Sequence, residues 1–226
     1  NTSANIKKEI SDLMIVDKFT NLNNHYLVRS LYFDNNIFSC FNDKIDGIKI
    51  RHKFRIRTYS DKKKNISPIF LEIKGRNNLR TFKRRTMIDI KDLNFFLNKK
   101  KIFSLKKKYE NNENIEKFIF DNFKKKISPK VLIDYNRSAY FNKSGLYFRV
   151  TFDSDIKACV SKHIFNENEN WKNCIFGYEI LELKFDFTIP PWFHRIIQSY
   201  ELQRISVSKF VLGSEYTNLA HDYEGI

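Results

Sequence analysis

The stretch GIKIRHKFRIRTY, residues 47–59, splits by parity. Lys49, Arg51, Lys53, Arg55, Arg57 and Tyr59 take the odd positions. Ile48, Ile50, Phe54 and Ile56 take even ones, interrupted by His52 and Thr58. A β-strand sends alternate side chains to opposite faces. The segment therefore reads as a strand with one apolar face and one face carrying five cations. Neighbours on that face lie about 6.5 Å apart, close enough for like charges to repel. A polyanion lying along the face would offset that repulsion.

The composition agrees. The chain has 226 residues and is 42% hydrophobic, enough for one domain with a true core. Its net charge is +15 and its pI about 9.6. That balance suggests an anionic partner: nucleic acid, an acidic membrane face or a phosphate-rich small molecule. An AT-rich coding bias toward Lys, Asn, Ile and Phe explains part of the charge but not its parity. Cys40, Cys159 and Cys174 form no CxxC pair, which argues against a disulfide framework and against zinc and points to the cytosol. No histidine pair has metalloprotease spacing. No apolar run approaches the roughly 20 residues of a membrane span, and no signal peptide is visible. The chain opens on Asn1, so it is expected to be part of something longer, with any membrane anchor outside it.

Helices are expected at 3–16, 92–105, 113–126 and 190–202. In the third, Ile115, Phe118, Ile119, Asn122 and Phe123 make one stripe. Strands are expected at 26–34, 47–59, 69–75, 81–90, 130–141, 145–158 and 178–187, with 204–213 a last strand or loop. Asp46-Gly47 reads as a turn, Gly75 as a strand end, and 62–68 and 166–173 as polar loops. Strands in adjacent runs imply an antiparallel sheet.

The parity test repeats along the chain. Glu72 and Lys74 share a face, as do Lys83 and Arg85, and Tyr135 and Arg137. Tyr147, Arg149, Thr151, Asp153 and Asp155 oppose Leu146, Phe148, Val150 and Phe152. Glu182, Lys184 and Asp186 oppose Leu181, Leu183, Phe185 and Phe187. Two architectures fit. A sandwich would bury the apolar faces and leave the charges in water. An eight-stranded barrel would turn the charges inward around one small ligand and cover its apolar outside with helices.

The segments YLVRSLYFD, KFRIRTY, FLEIKGR, KRR, YNRSAYF, FRVTFD, ILELKF and SVSKF run in the order of the VTC domain. The chain resembles that family, the polyphosphate polymerase domain of the triphosphate tunnel superfamily, related to the CYTH proteins. The resemblance spans about 26–213. It implies an α+β fold: an antiparallel β-barrel tunnel of about eight strands with a charged interior, flanked by amphipathic helices. It also implies transfer of the ATP γ-phosphate to polyphosphate with Mn²⁺ or Mg²⁺. By motif, Arg55, Arg57, Lys74, Arg137 and Lys209 would be catalytic. Lys83, Arg85, Tyr135, Arg149, Lys184 and Ser208 would bind the nucleotide or phosphate chain, and Glu182 would hold the metal. Glu72 is the alternative carboxylate. The family's opening strand of alternating Glu or Arg and Lys has no counterpart before Ser3. Residues 1–226 are thus expected to be a single domain of this kind lacking its first strand.

Lys49, Arg51 and Lys53 are expected beyond the tunnel mouth, where they would steer polyphosphate in. Asp153 and Asp155 are expected to pair with tunnel arginines. The runs Lys106–Lys108 and Lys124–Lys126 read as solvated helix ends. Rival readings are a tunnel-type tripolyphosphatase or nucleoside triphosphatase, a non-catalytic polyphosphate or nucleotide sensor, and a nucleic-acid binder. The last lacks any sequence-specific motif, and the aromatics fall mainly on the apolar parity.

Overall fold

A computed structural model describes residues 2–21, 24–63, 67–98, 101–143, 147–165 and 170–221. Leu146 and parts of the expected segments, 64–66, 99–100, 145 and 166–169, lie outside them. The helices are α1 Thr2–Ser11, α2 Ser39–Ile45, α3 Leu93–Leu97, α4 Ser104–Lys108, α5 Glu113–Lys125, α6 Pro191–Ser199 and α7 Lys209–Tyr216. The strands are β1 Met14–Val16, β2 Tyr26–Asp34, β3 Ile50–Thr58, β4 Ile69–Asn77, β5 Arg80–Ile88, β6 Ser128–Asn142, β7 Phe148–Val160, β8 Lys172–Asn173 and β9 Ile180–Phe185.

This is an α+β fold whose sheet has the order β5-β4-β3-β2-β6-β7-β8, with β1 on β6 and β9 on β7. The registers resolved along it are antiparallel. The sheet carries the expected charged and apolar parities and flanking helices. Among the described residues no pairing joins β5 back to the other end, so the sheet is not strictly closed. No described helix is long and apolar enough to cross a membrane.

The chain forms two compact units. The first holds 1–27, 135–156 and 175–207; the second holds 28–134, 157–174 and 208–226. In the second unit the apolar faces of β2, β3 and β4 supply Leu31, Phe33, Phe54, Ile56, Leu71 and Ile73. These pack against Phe96 of α3, Leu105 of α4 and Ile115 and Phe118 of α5. The rings of Phe33, Phe54 and Phe96 all meet Phe118, at 5.2–5.7 Å. Asn112 caps α5 by accepting from the Ile115 amide at 3.2 Å, and Glu113 and Lys124 complement its dipole. In the first unit, Ile6 and Ile10 of α1, Phe148, Val150 and Phe152 of β7, and Phe193 and Ile196 of α6 form a smaller core. Pro191 opens α6, where its missing N–H costs nothing.

Several expectations need correction. The helix expected at 3–16 stops at Ser11. Met14–Val16 leaves it as a strand, because pairing with Tyr140–Asn142 satisfies its backbone. Helix α2 was not foreseen: Asp34 accepts from the Cys40 and Phe41 amides and so supplies the cap that the short sequence hides. The single helix expected at 92–105 is two short ones, α3 and α4, preceded by a 3₁₀ turn at Ile90–Asp92. Residues 204–208 are irregular, and Ser208 caps α7, which begins at Lys209.

Gly75 does not end β4. The strand continues to Asn77, and the Phe82 ring crosses so closely that a Cβ at Gly75 would come 2.3 Å from it. Ile48 and Ile50 were expected under helices but are exposed, Ile50 by 69%. The apolar parity of 47–59 becomes core only from Phe54 onward. Phe123 leaves the α5 stripe and is 76% exposed, while Phe187 lies beyond β9 and is 90% exposed.

Candidate functional site

Antiparallel pairing of β2 through β5 arranges the second unit's polar parity in rows. Tyr32, Arg55, Glu72 and Arg85 share one row. Lys53, Lys74 and Lys83 share the next, and Ser30, Arg57 and Phe70 flank the other side. Like charges this close on one face repel, so something on the face has to compensate them.

Glu72 is that element. It is 0% exposed, and Arg55 donates to it from Nε at 2.7 Å and approaches from Nη2 at 2.6 Å. Lys83 reaches its other oxygen at 2.9 Å, and Arg57 Nη1 lies 3.8 Å away. Burial pushes the Glu72 carboxyl up, but Arg55, Arg57 and Lys83 outweigh it and hold it at about 2. Arg57 also donates to Ser30 Oγ at 2.9 Å. Arg85 lies over the Phe70 ring at 4.9 Å. Lys74 is exposed.

Tyr32 and Lys53 extend the row toward α7. Arg55 Nη1 donates to the Tyr32 hydroxyl at 2.8 Å. Burial raises the phenol, yet Arg55, Arg57 and Lys53 more than reverse this and bring it down to about 7. Lys53 donates to Ser208 Oγ at 3.0 Å and stands 4.9 Å over the Phe210 ring, which packs on Tyr32 at 5.3 Å. Burial lowers the Lys53 ammonium to about 8; Tyr32 opposes this, and Lys74 and Arg55 add to it. Ser208 and the start of α7 are thereby tied to the cations of β3. Lys53, expected beyond the tunnel mouth, is held by the residue that caps α7.

The first unit holds a second charged group on β6, β7 and β9. Arg137 grips Asp153 with Nε at 2.6 Å and Nη2 at 2.7 Å and lies over Tyr135 at 5.3 Å. Its Nη2 is 3.5 Å from Glu182, whose other oxygen is 3.5 Å from Lys184. Arg149 stands opposite Lys184 in register and contacts Asp17 at 3.4 Å and the Tyr26 hydroxyl at 3.3 Å. Asp153 partners an arginine as expected. Asp155 does not: it accepts from Asn136 Nδ2 at 2.9 Å, and its backbone is left-handed, φ 51°, which turns its side chain off the row.

Two partners escaped the sequence. Tyr32 shares the polar parity of 26–34 with Ser30 and Asp34, a signal that its aromatic ring obscures. Arg29 forms a buried pair with Asp134, 2.9 and 2.8 Å, on the core side of the sheet. An arginine on the parity of Leu31 and Phe33 was the available signal. His52 is likewise on the core side, paired with Asp121 of α5.

The carboxylates bear on the expected metal. Among the described residues no three His, Cys, Asp or Glu gather to hold an ion. Glu72 faces three cations at 2.6–3.8 Å, and both oxygens of Asp153 serve Arg137. Glu182 is half-buried and more loosely held. It fits one kind of site, in which phosphate oxygens and water complete the shell around a single protein carboxylate.

Residues 1–218 match the VTC domain. No curated protein matches the sequence. Among solved structures, a candidate adenylate cyclase from Bacillus halodurans superposes with a TM-score of 0.47 and 10% identity, over 92% of this chain and 87% of that one. A likeness of that size identifies no function.

Proposed function

We propose that this chain, which belongs to the VTC domain family, transfers the γ-phosphate of ATP to a polyphosphate chain. One observation carries the reading. On the face of β2–β5, six cations, Lys53, Arg55, Arg57, Lys74, Lys83 and Arg85, lie in adjacent rows, and Glu72 among them pairs with Arg55, Arg57 and Lys83. A chain of phosphates supplies further negative charge. Arginine forks suit two oxygens at once, and lysines act as point charges.

Phosphoryl transfer asks little covalent help of a protein; positioning and charge stabilisation carry it. Arg55 and Arg57, fixed by Glu72 and Ser30, are pre-set donors. Lys74, Lys83 and Arg85 add exposed charge, and Ser208 and Lys209 add the start of α7. In the first unit Glu182, the carboxylate that would receive Mn²⁺ or Mg²⁺, lies 3.5 Å from Arg137 and from Lys184, with Tyr135 beneath Arg137 and Arg149 opposite Lys184. Such an ion, when bound, offsets charge on the phosphoryl oxygens.

A second reading is a non-catalytic polyphosphate or nucleotide sensor. It is favoured by Glu182 already lying 3.5 Å from both Arg137 and Lys184, cations with which a metal would compete. A hydrolase of the same type would use water as acceptor. Incubation with ATP and Mn²⁺ or Mg²⁺, resolved into long polyphosphate and free phosphate, tests all three. Polyphosphate is expected, with turnover lost and triphosphate binding kept in Glu182→Gln. Free phosphate alone would indicate the hydrolase. Binding without turnover would indicate the sensor.

A further inference from the structure

Phe123 departs from the stripe its sequence predicts, and it does not do so alone. Phe103, at the start of α4, is 59% exposed, and Phe120 and Phe123 of α5 are 57% and 76% exposed. The rings of Phe103 and Phe123 lie 6.4 Å apart, edge to face, and Lys124 stands 5.6 Å over Phe120. Three large aromatic rings in water form a costly patch for a solvated helix face.

The charge around the rings is mainly positive. Lys106 and Lys107 follow Phe103 by three and four positions, which sets them on its side of α4. Lys124 and Lys126 flank Phe123, and all four lysines are exposed. Asp121, between Phe120 and Phe123 in the sequence, points inward to His52. Glu113 sits at the far end of α5, while the exposed acids Glu116, one turn before Phe120, and Glu110, just after α4, are outnumbered by the lysines.

We infer that the α4–α5 face docks on an anionic lipid bilayer. The charge complementarity selects this occupant. Aromatic rings enter the headgroup boundary, while flexible lysine stems let ammonium groups reach lipid phosphates and carboxylates. The face is separate from the cationic rows of β2–β5, so the inference stands whether or not the polymerase reading does.

The test is flotation of the purified chain with vesicles of phosphatidylcholine alone and with one-third phosphatidylserine. Binding is expected only to the second, weakening with salt. Phe103→Ser with Phe123→Ser should lower the partition coefficient at least tenfold, with the melting temperature retained. Lys106→Glu, Lys107→Glu, Lys124→Glu and Lys126→Glu together should abolish binding. The equal charge change at Lys8, Lys62, Lys162 and Lys172 should reduce it far less. Equal losses in the two lysine sets would overturn the proposal in favour of diffuse attraction by a basic protein. So would unchanged vesicle binding in the phenylalanine variant. A dimer in light scattering that the phenylalanine changes split, without vesicle binding, would assign the face to a second copy of the chain instead.

Discussion

The two charged groups differ in balance. In the first unit Arg137, Arg149 and Lys184 meet Asp153, Asp17 and Glu182, three cations for three carboxylates. In the second unit Arg55, Arg57 and Lys83 converge on Glu72, and Lys53, Lys74 and Arg85 lie in the same or the next row. A matched set is complete without a ligand and holds its residues in place. An unmatched set is stable only because one deeply buried carboxylate ties the nearest cations together, and its surplus charge attracts an anion. Sequence parity shows both groups equally well. Only the pairing distinguishes a structural cluster from a binding surface.

The largest effects should come from removing the buried carboxylates. Asp153→Ala leaves Arg137 buried without its main partner, and Glu72→Ala takes the same support from Arg55 and Arg57. Each should cost about 3–5 kcal/mol in denaturant unfolding. The two should then diverge. Inorganic tripolyphosphate should restore much of the melting temperature of the Glu72 variant and little of the Asp153 variant. Equal rescue would erase the distinction between the clusters.

The next effect is on ligand affinity. Arg55→Ala and Lys83→Ala should each weaken triphosphate binding by roughly 1.5–3 kcal/mol, the range for a charge-assisted hydrogen bond. Lys106→Ala, remote on α4, should change it little. Calorimetric titration separates the outcomes, and equal losses at all three would mean diffuse attraction.

How far the sequence revealed this depends on the reach of each interaction. Alternation is local, so the polar and apolar faces of β3, β4 and β7 were legible along most of their length, Ile50 and Asp155 excepted. Helix α5 was legible too, from its apolar spacing, though Asn112 as its cap was not and Phe123 fell outside the buried stripe. Pairing across strands is not local. Glu72 appeared as a second-choice metal ligand because nothing in FLEIKGR shows that Arg55, Arg57 and Lys83 converge on it. Asp34 capping α2 and Lys53 meeting Ser208 depend on contacts between distant segments. The failure at Ile48 and Ile50 is of another kind: the period continues past the end of the covering helices, and periodicity carries no record of where its cover stops.

pH sharpens the comparison further. Glu72 titrates at about 2 in the folded chain against 4.5 ordinarily. A depressed carboxylate contributes stability that is fully present above pH 4.5 and lost as pH falls toward 2. Acid unfolding of the wild type should therefore steepen in that window, and Glu72→Gln should flatten it. On the other side, Tyr32 loses its proton near 7 and Lys53 near 8. Both changes make the face less positive, so triphosphate affinity should fall as pH rises through 7 to 8. Tyr32→Phe should delay the fall. A wild-type affinity flat across that range would contradict these assignments.

The smallest effect belongs to the surface pair Arg84–Glu113, 3.1 Å apart but well exposed. Glu113→Gln should change stability by less than about 0.5 kcal/mol.

The most direct measurement is calorimetric titration of inorganic tripolyphosphate into two variants. One carries Lys74→Ala, Lys83→Ala and Arg85→Ala on the unmatched face. The other carries Lys8→Ala, Lys162→Ala and Lys172→Ala, exposed lysines outside both clusters. The first is expected to lose at least a hundredfold in affinity and the second to stay within about threefold of wild type. Equal losses, or full affinity in the first variant, would contradict the claim that the β2–β5 face binds phosphate chains.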